Sequence, residues 1–426
     1  MPNTPPPPAQ PSAPKPDLRF GEFVALMALL IALTALSIDI MLVALPDIAQ
    51  TYALTGENDR QLIITAYMLG LAAGQPFHGP LSDRFGRKPI LAVGLVIFAI
   101  GSLGAAFAPS FTTLLAARAL QGLGAAAPRV VAIAIVRDRF LGREMARVMS
   151  FVMMIFIVVP VIAPSLGEVI LWLGAWPWIF GALFLTSVIA FAWSMLRLRE
   201  TRRPEDRMSL TPAALGHAFR TVVTTRATVG YTTAMGFLFG GLLSYVASAQ
   251  QIFQDIYGLG SLFPVAFGAI AGVMALASLT NARLVGRVGM HRVSHMALIG
   301  YVVAGTVMAF LGFPEHPPLW VLGLFMAVIF YCFGLIAPNF NAMAMEPLGH
   351  VAGMGSSFVG CYSTAAGAVV GMIIGRSFDG TVRPLIIGFV ALGYLALATV
   401  LVTEGGKLMR SRPPSPERRP APQAGD

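Results

Sequence analysis

Charge is scarce in this 426-residue sequence: 12% of its residues are Asp, Glu, Lys or Arg, against about 25% in ordinary soluble domains. With hydrophobic residues at 56%, the shortage excludes a soluble globular chain and places the sequence in the membrane class. Cysteine is nearly missing. Cys332 and Cys361 each lie inside an apolar run, which argues against a disulfide framework and a cysteine metal site and leaves both as small hydrophobes. Also missing are a His-Glu-x-x-His, a Gly-x-Ser-x-Gly and a Walker A lysine, so neither an enzyme nor an ATP-driven pump is indicated, and no metal or cofactor is expected.

What is present is a net charge of +9. A nucleic-acid partner is not expected, because no aromatic-basic patch or binding motif accompanies the charge. The basic residues instead cluster in short loops between apolar runs long enough to cross a bilayer, which takes about 20 residues. Twelve such runs are found: 21–45, 60–80, 89–108, 111–136, 148–171, 178–196, 227–252, 262–285, 293–313, 319–345, 350–375 and 384–403. An even count puts both termini on one side. Lys15, Arg19, Arg84, Arg87, Lys88, Arg137, Arg139, Arg143, Arg147, seven arginines from Arg197 to Arg226, Arg283, Arg287, Arg292 and five residues from Lys407 to Arg419 collect on that side, against Arg60, Arg376 and Arg383 opposite. The positive-inside rule then makes the termini cytoplasmic.

The expected class is an all-α membrane protein of twelve transmembrane helices in two pseudo-symmetric six-helix bundles. Residues 1–20 read as a Pro-rich cytoplasmic tail, 21–196 as the first bundle, 197–226 as an Arg-rich linker with a surface helix near Leu210–Phe219, 227–403 as the second bundle and 404–426 as a basic tail. A weak repeat supports the division. Leu81-Ser-Asp-Arg84-Phe-Gly86 follows helix 2, and Leu284-Val-Gly-Arg287-Val-Gly289 follows helix 8, as duplicated bundles require.

Charges inside the runs are candidates for function, because each costs several kcal/mol unless paired or hydrated. Asp39 in helix 1 and Arg118 in helix 4 lie about 10 and 12 Å below the outer ends of their helices at 1.5 Å per residue. Their shared depth makes them expected partners, with Arg118 tuning a proton-binding Asp39; a permanent structural ion pair is the alternative. Arg129 follows Arg118 by 11 residues, which returns to nearly the same helix face. Both arginines are therefore expected in one cavity, although Arg129 can equally snorkel to the interface. Glu168 in helix 5 is either an interfacial carboxylate or a second protonatable group. His78 reads as structural.

The loop GPLSDRFGRKPIL (Gly79–Leu91) resembles motif A of the major facilitator superfamily, with Gly79, Leu81, Asp83, Arg84, Gly86, Arg87 and Lys88 in register. Gly79 permits close helix approach, Gly86 a tight turn, and the acid among three bases an ion-pair latch that breaks between access states. LLAARALQGLGAAAPR (Leu114–Arg129) resembles motif B, with Arg118, Gln121 and Gly122 in place. VVPVIAPSLGEVI (Val158–Ile170) resembles the antiporter motif C through Pro160, Pro164 and Gly167, but Glu168 stands where a second glycine is expected. Gly70 and Gly74 in helix 2 and Gly367, Gly371 and Gly375 in helix 11 permit close crossings, and the superfamily resemblance implies that these two helices meet between the halves.

Further stretches are similar to the Bcr/CflA drug-resistance branch: IDIMLVALPDIA (Ile38–Ala49), IVRDRF (Ile135–Phe140), NARLV (Asn281–Val285) and APNFNAMAMEPLGHVAGMGSSFVG (Ala337–Gly360), the last carrying Pro338, Asn339 and Gly353. Val43 departs from the proline common there. The resemblance implies proton-driven antiport of antibiotics or other small amphiphiles, by a monomer in a bacterial inner membrane whose only partners are substrate, protons and lipid. Gln121, Arg129, Tyr67, Tyr245 and Tyr362 are candidate cavity residues, with Phe77 and Phe156 as further aromatics. Proton-coupled uptake on the same fold and a non-transporting sensor or scaffold are the rival readings.

Overall fold

The computed structural model describes residues 18–56, 58–140, 142–202, 212–312 and 315–409; most of both expected tails and the middle of the linker lie outside the described residues. All regular structure among these residues is helical. Seven helices form the first half: α1 (Phe20–Asp39), α2 (Leu45–Thr51), α3 (Leu62–Phe85), α4 (Arg87–Ala106), α5 (Phe111–Arg139), α6 (Gly142–Leu173) and α7 (Pro177–Arg197). Linker helix α8 (Pro212–Thr224) precedes α9 (Arg226–Gln250), α10 (Phe263–Val288), α11 (Met290–Phe310), α12 (Leu319–Met345), α13 (Ala352–Arg376) and α14 (Arg383–Glu404).

Ten of these stretches are long and apolar enough to cross a membrane. The expected spans 60–80 and 148–171 are the other two. Both are helical, as α3 and α6, but α3 buries Gln75, His78 and Ser82, and in α6 only Val158–Leu173 forms an apolar stretch. A helix that meets protein on several sides need not be uniformly apolar.

Helix 1 differs from expectation. A continuous helix to Leu45 is predicted; instead α1 ends at Asp39, a short 3₁₀ turn covers Leu42–Ala44, and α2 resumes at Leu45. Pro46 gives the physical reason, since it donates no hydrogen bond and its ring crowds the carbonyl four residues earlier, at Leu42. The whole span runs from Phe20 to Thr51. Asp39 therefore sits near its middle, at a broken end, rather than one or two turns below the surface.

Within the halves, α5 packs against α3 and α4, and α9 against α13 and α14. Between the halves, α3 meets α13 and α6 meets α10. Gly86 (φ 103°, ψ 157°) ends α3 and begins α4, and Gly289 (φ 88°, ψ 152°) does the same between α10 and α11. The two glycines of the sequence repeat thus share one conformation, in a region that only glycine enters without strain. These loops and the described chain ends at Leu18 and Met409 lie at one end of the bundle, the basic face, and the opposite end is the distal face.

Candidate functional site

A cavity of about 370 Å³ lies between the halves. Its walls come from α1, α3, α5 and α6 on one side and from α9, α10 and α12 on the other. Almost all of the lining is apolar: Met68, Leu71, Phe239, Phe267, Phe333 and their neighbours. The four polar residues in it are Thr34, Asp39, Arg129 and Tyr245. Asp39 is 6% exposed, and among the described residues its carboxyl has no ion-pair or hydrogen-bond partner. Arg129 likewise carries no ion pair among the described residues. Among the described residues the buried hydroxyls of Thr34 and Tyr245 have no hydrogen-bond partner, an unusual state for polar atoms inside a protein. Tyr245 is held by rings, stacked on Phe267 at 5.8 Å and tilted on Phe330 at 4.9 Å.

The expected Asp39–Arg118 pair does not form. Arg118 is fully buried inside the first half. It donates from Nη2 to the carbonyl of Ser37 (3.2 Å), from Nη1 to Gln121 Oε1, and from Nε to the carbonyl of Ile63 (3.4 Å). Its guanidinium lies over the Tyr67 ring at 4.5 Å and near Phe180 at 5.7 Å. Gln121 in turn donates to Ser102 Oγ at 2.7 Å. Arg118 thus caps the carbonyl end of the broken α1, two residues before Asp39, where a positive charge opposes the helix dipole. Gln121 and Tyr67, expected in the cavity, belong to this brace; Tyr67 donates to the carbonyl of Thr34 at 3.2 Å. The shared helix face of Arg118 and Arg129 was readable from spacing, but at the level of Arg118 α1 and α3 close over α5. A Cβ on Gly122 would stand 2.0 Å from the Tyr67 carbonyl oxygen. Only Arg129 reaches the gap between the halves.

Helix α6 supports the same break. A Cβ on Gly167 would stand 2.2 Å from the Ile40 carbonyl oxygen and 2.7 Å from Val43, so the motif C glycine lets α6 press against the turn that follows Asp39. Pro160 lines the cavity and Pro164 is buried. Glu168 is half-buried and does not line the cavity. Tyr362 and Phe77 also fall outside it. Tyr362 stacks on Phe358 at 5.7 Å near the periphery, and Phe77 is exposed. The side chain of Phe156 lies outside the described residues.

At the basic face, Arg87 is the centre of motif A. Its side chain is 1% exposed and holds Asp83 at 2.7 Å, Asp138 at 2.8 Å and Ser82 Oγ at 2.7 Å. Glu200 accepts from the backbone N–H groups of Arg87 (2.9 Å) and Lys88 (3.0 Å), placing a carboxylate on the first turn of α4. Lys88 Nζ donates to the Met195 carbonyl at 2.7 Å, and Arg84 stacks over Phe85. Leu81 is half-buried beside them. Asp138, inside the IVRDRF stretch, and Glu200, three residues beyond α7, carry no sequence signal, because nothing in their spacing links them to residue 87. The cluster joins α3, α4, α5 and the linker, and its contacts among the described residues all lie within one half. Gly79, by contrast, does touch the other half, where a Cβ would stand 3.0 Å from Ser357 Oγ.

The polar bonds between the halves concentrate at the distal face. Gln61 Nε2 donates to Gln251 Oε1 (2.6 Å), Gln251 Nε2 to Asn58 Oδ1 (2.9 Å), and Asn58 Nδ2 to the carbonyls of Arg376 (3.0 Å) and Phe378 (2.8 Å). Ion pairs Arg60–Asp255 (2.8 Å) and Arg376–Asp59 (3.1 Å) flank them. Gln251 and Asp255 belong to a π-helical turn, Gln251–Ile256, that extends α9; such turns frequently sit at functional sites. Farther in, Gln75 donates to Thr364 at 3.1 Å.

The expectation for the spaced glycines is corrected in part. Gly70 and Gly74 abut Ala119, Leu123 and Ala126 of α5, and Gly367 and Gly371 abut α9, all within their own halves. Across the seam lie Gly375 against Gln61 and Gly360 against Gln75. Of the helix 10–11 signature, Asn339 donates to Asn281 Oδ1 at 2.7 Å, tying the APNFN stretch to NARLV. Pro338 lies inside α12. A Cβ on Gly353 would meet nothing within 4 Å among the described residues.

Two helical bundles around a central, mostly apolar cavity that holds ionisable groups define a polytopic membrane carrier of small molecules. The family description "Major Facilitator Superfamily" matches residues 27–372, and the chain belongs to that superfamily of transporters. The uncharacterized MFS-type transporter YdgK of Bacillus subtilis is 34% identical over 359 residues, spanning 82% of this chain and 87% of that protein. A bicyclomycin resistance protein homolog of Haemophilus influenzae is 29% identical over 370 residues, spanning 85% and 91%, in keeping with the drug-resistance branch that the loops resemble. The crystal structure of a D-xylose-proton symporter shares the fold, with a TM-score of 0.74 at 14% identity over 92% of this chain and 98% of that one.

Proposed function

We propose that this protein is a proton-driven exporter of small amphiphilic molecules that works by alternating access. The observation that carries the reading is Asp39: a carboxyl at the broken end of α1, in the cavity wall, buried and without a partner among the described residues. A buried charge in that position is expensive, so it is neutralised by a proton or by a cationic or donor group of a ligand. Competition of the two for one carboxyl is the minimal requirement of antiport. The similarity to a bicyclomycin resistance protein homolog supports export and a drug-like substrate.

Orientation follows from the positive-inside rule, which makes the basic face cytoplasmic and the distal face external in a bacterial inner membrane. The seal of amides and ion pairs at the distal face then supports a conformation open toward the cytoplasm. Rocking of the halves about the α3–α13 and α6–α10 seams would break that seal and expose Asp39 to the outside. Arg118 holds the carbonyl end of α1 in place while Asp39 changes charge. No cofactor is required beyond the proton gradient.

The test uses purified protein in liposomes with an imposed pH gradient and an internal pH dye, adding a panel of amphiphilic drugs to wild type, Asp39→Asn and Glu168→Gln. Drug-triggered proton movement in wild type and Glu168→Gln, lost in Asp39→Asn, is the expected result. Loss in Glu168→Gln alone moves the coupling group to α6. Proton entry in the same direction as the drug makes the protein an uptake carrier, and no proton movement with any compound refutes the exporter reading.

A further inference from the structure

The four polar groups of the cavity also describe what it binds, granted that the cavity is the substrate site of the proposed exporter. Arg118 donates to the Ser37 carbonyl, so it marks the level of Asp39 on α5. Arg129 follows 11 residues later, about 16 Å of helix rise farther toward the basic face. The acid and the base therefore enter one cavity from different levels of α1 and α5, and among the described residues no ion pair joins them. Between them the wall is apolar and aromatic, with Phe239, Phe267 and Phe333 prominent. The orphaned hydroxyls of Thr34 and Tyr245, 6% and 3% exposed, add two unused hydrogen-bonding groups. Unpaired polar atoms at this burial are costly, and a ligand that satisfies them removes the cost.

We infer that the substrate is an elongated zwitterion, with a cationic end on Asp39, an acidic end on Arg129 and an apolar body between them. A plain cation would leave Arg129 unpaired. A plain anion would gain nothing from Asp39 and would bind better after that carboxyl took up a proton, which is the linkage of a symporter rather than an exporter. In the zwitterion, the cationic end and the proton compete for Asp39 while Arg129 holds the acidic end throughout. The cavity volume, near the lower limit of drug-sized sites (roughly 300–1,000 Å³), suits a slender molecule.

The experiment titrates the purified full-length protein calorimetrically with four probes. These are 11-aminoundecanoic acid (a long zwitterion), its methyl ester (a cation), its N-acetyl derivative (an anion) and 4-aminobutanoic acid (a short zwitterion). The long zwitterion should bind tightest. Arg129→Gln should weaken the long zwitterion about tenfold, the size of one lost charge-assisted contact, and leave the ester unchanged. Asp39→Asn should weaken the long zwitterion and the ester and strengthen the anion, because it removes the same negative charge that a proton removes. Arg129→Lys keeps the charge and should retain zwitterion preference, which separates charge recognition from a folding defect. Equal binding of ester and long zwitterion, unchanged zwitterion binding in Arg129→Gln, or binding of none of the probes overturns the substrate class. The liposome assay is read separately: drug-driven proton antiport that survives Arg129→Gln leaves export standing while this class falls, and the predicted binding pattern without proton movement does the reverse.

Discussion

If the distal seal holds the present conformation, its buried amides should matter more than its ion pairs. Gln61 and Gln251 are 0% and 1% exposed, and a bond of 2.6 Å joins them. In Gln61→Ala, Gln251 Oε1 loses its donor, but the Oε1 of Gln61, buried and already without a partner, disappears too. The two orphan costs roughly cancel, leaving the loss of one buried neutral hydrogen bond, about 1 kcal/mol. Because both amides are hydrated once the distal face opens, that loss falls on the closed state and shifts the population about fivefold toward opening. Gln61→Glu is more severe. It sets an unpaired carboxylate against an acceptor oxygen in a buried site, at about 3 kcal/mol or more, for a shift above about a hundredfold. The ion pair Arg60–Asp255 has one partner nearly half exposed, so Arg60→Ala should shift the equilibrium by about 0–1 kcal/mol only. Spin labels at Thr55 and Ser261, both exposed in distal loops of opposite halves, would report the separation by double electron–electron resonance, with Cys332 and Cys361 replaced by alanine. The expected order of opening is Gln61→Glu, then Gln61→Ala, then Arg60→Ala. An unchanged distance distribution in both Gln61 variants, with opening in Arg60→Ala, would refute the reasoning.

Three further outcomes follow from single contacts. Arg87→Ala leaves Asp83 and Asp138 without their shared cation and should destabilise the protein by about 3–5 kcal/mol, read as a lower unfolding temperature in detergent; Asp138→Asn, which keeps an acceptor, should cost less. Gly86→Ala forces a side chain into a φ of 103° and within 2.6 Å of Glu200 Oε2, whereas Gly289→Ala meets strain alone, since nothing lies within 4 Å. Both should lower thermal stability, by roughly 1–3 kcal/mol of backbone strain, with Gly86→Ala the worse; equal losses would mean that Glu200 yields freely. Gly167→Val drives α6 into the Ile40 carbonyl and should abolish drug-triggered proton movement in an inserted, folded protein. Full activity in that variant would show that the turn after Asp39 tolerates displacement.

Most of the fold was legible from the sequence, because a bilayer imposes a strong local rule: any backbone crossing it must satisfy its own hydrogen bonds over about 20 apolar residues. The twelve runs, the linker helix, and the twin turns at Gly86 and Gly289 follow from composition, charge placement and a short repeat. The resemblance to motif A put Asp83 and Arg87 in one ionic cluster and Gly86 in the turn beside it. Asp39 and Arg129 stood out as charges inside apolar runs, which are visible wherever they fall.

Partnership was a different matter. Depth counting paired Asp39 with Arg118, and only the packed bundle revealed that Arg118 caps the carbonyl end of α1 while Arg129 faces the cavity. The spaced glycines announced close crossings without saying which helix crosses, and Gly70, Gly74, Gly367 and Gly371 turned inward to their own halves. Asp138, Glu200 and the distal amides carry no sequence mark, since their role arises from neighbours 51 to 320 positions away. Local physics, the period of the helix and the thickness of the bilayer, determined the elements and their order. The orphaned hydroxyls, the unpaired carboxyl and the seal exist only where the two halves meet, because which polar groups go unpaired is a property of the interface and not of either stretch of sequence that forms it.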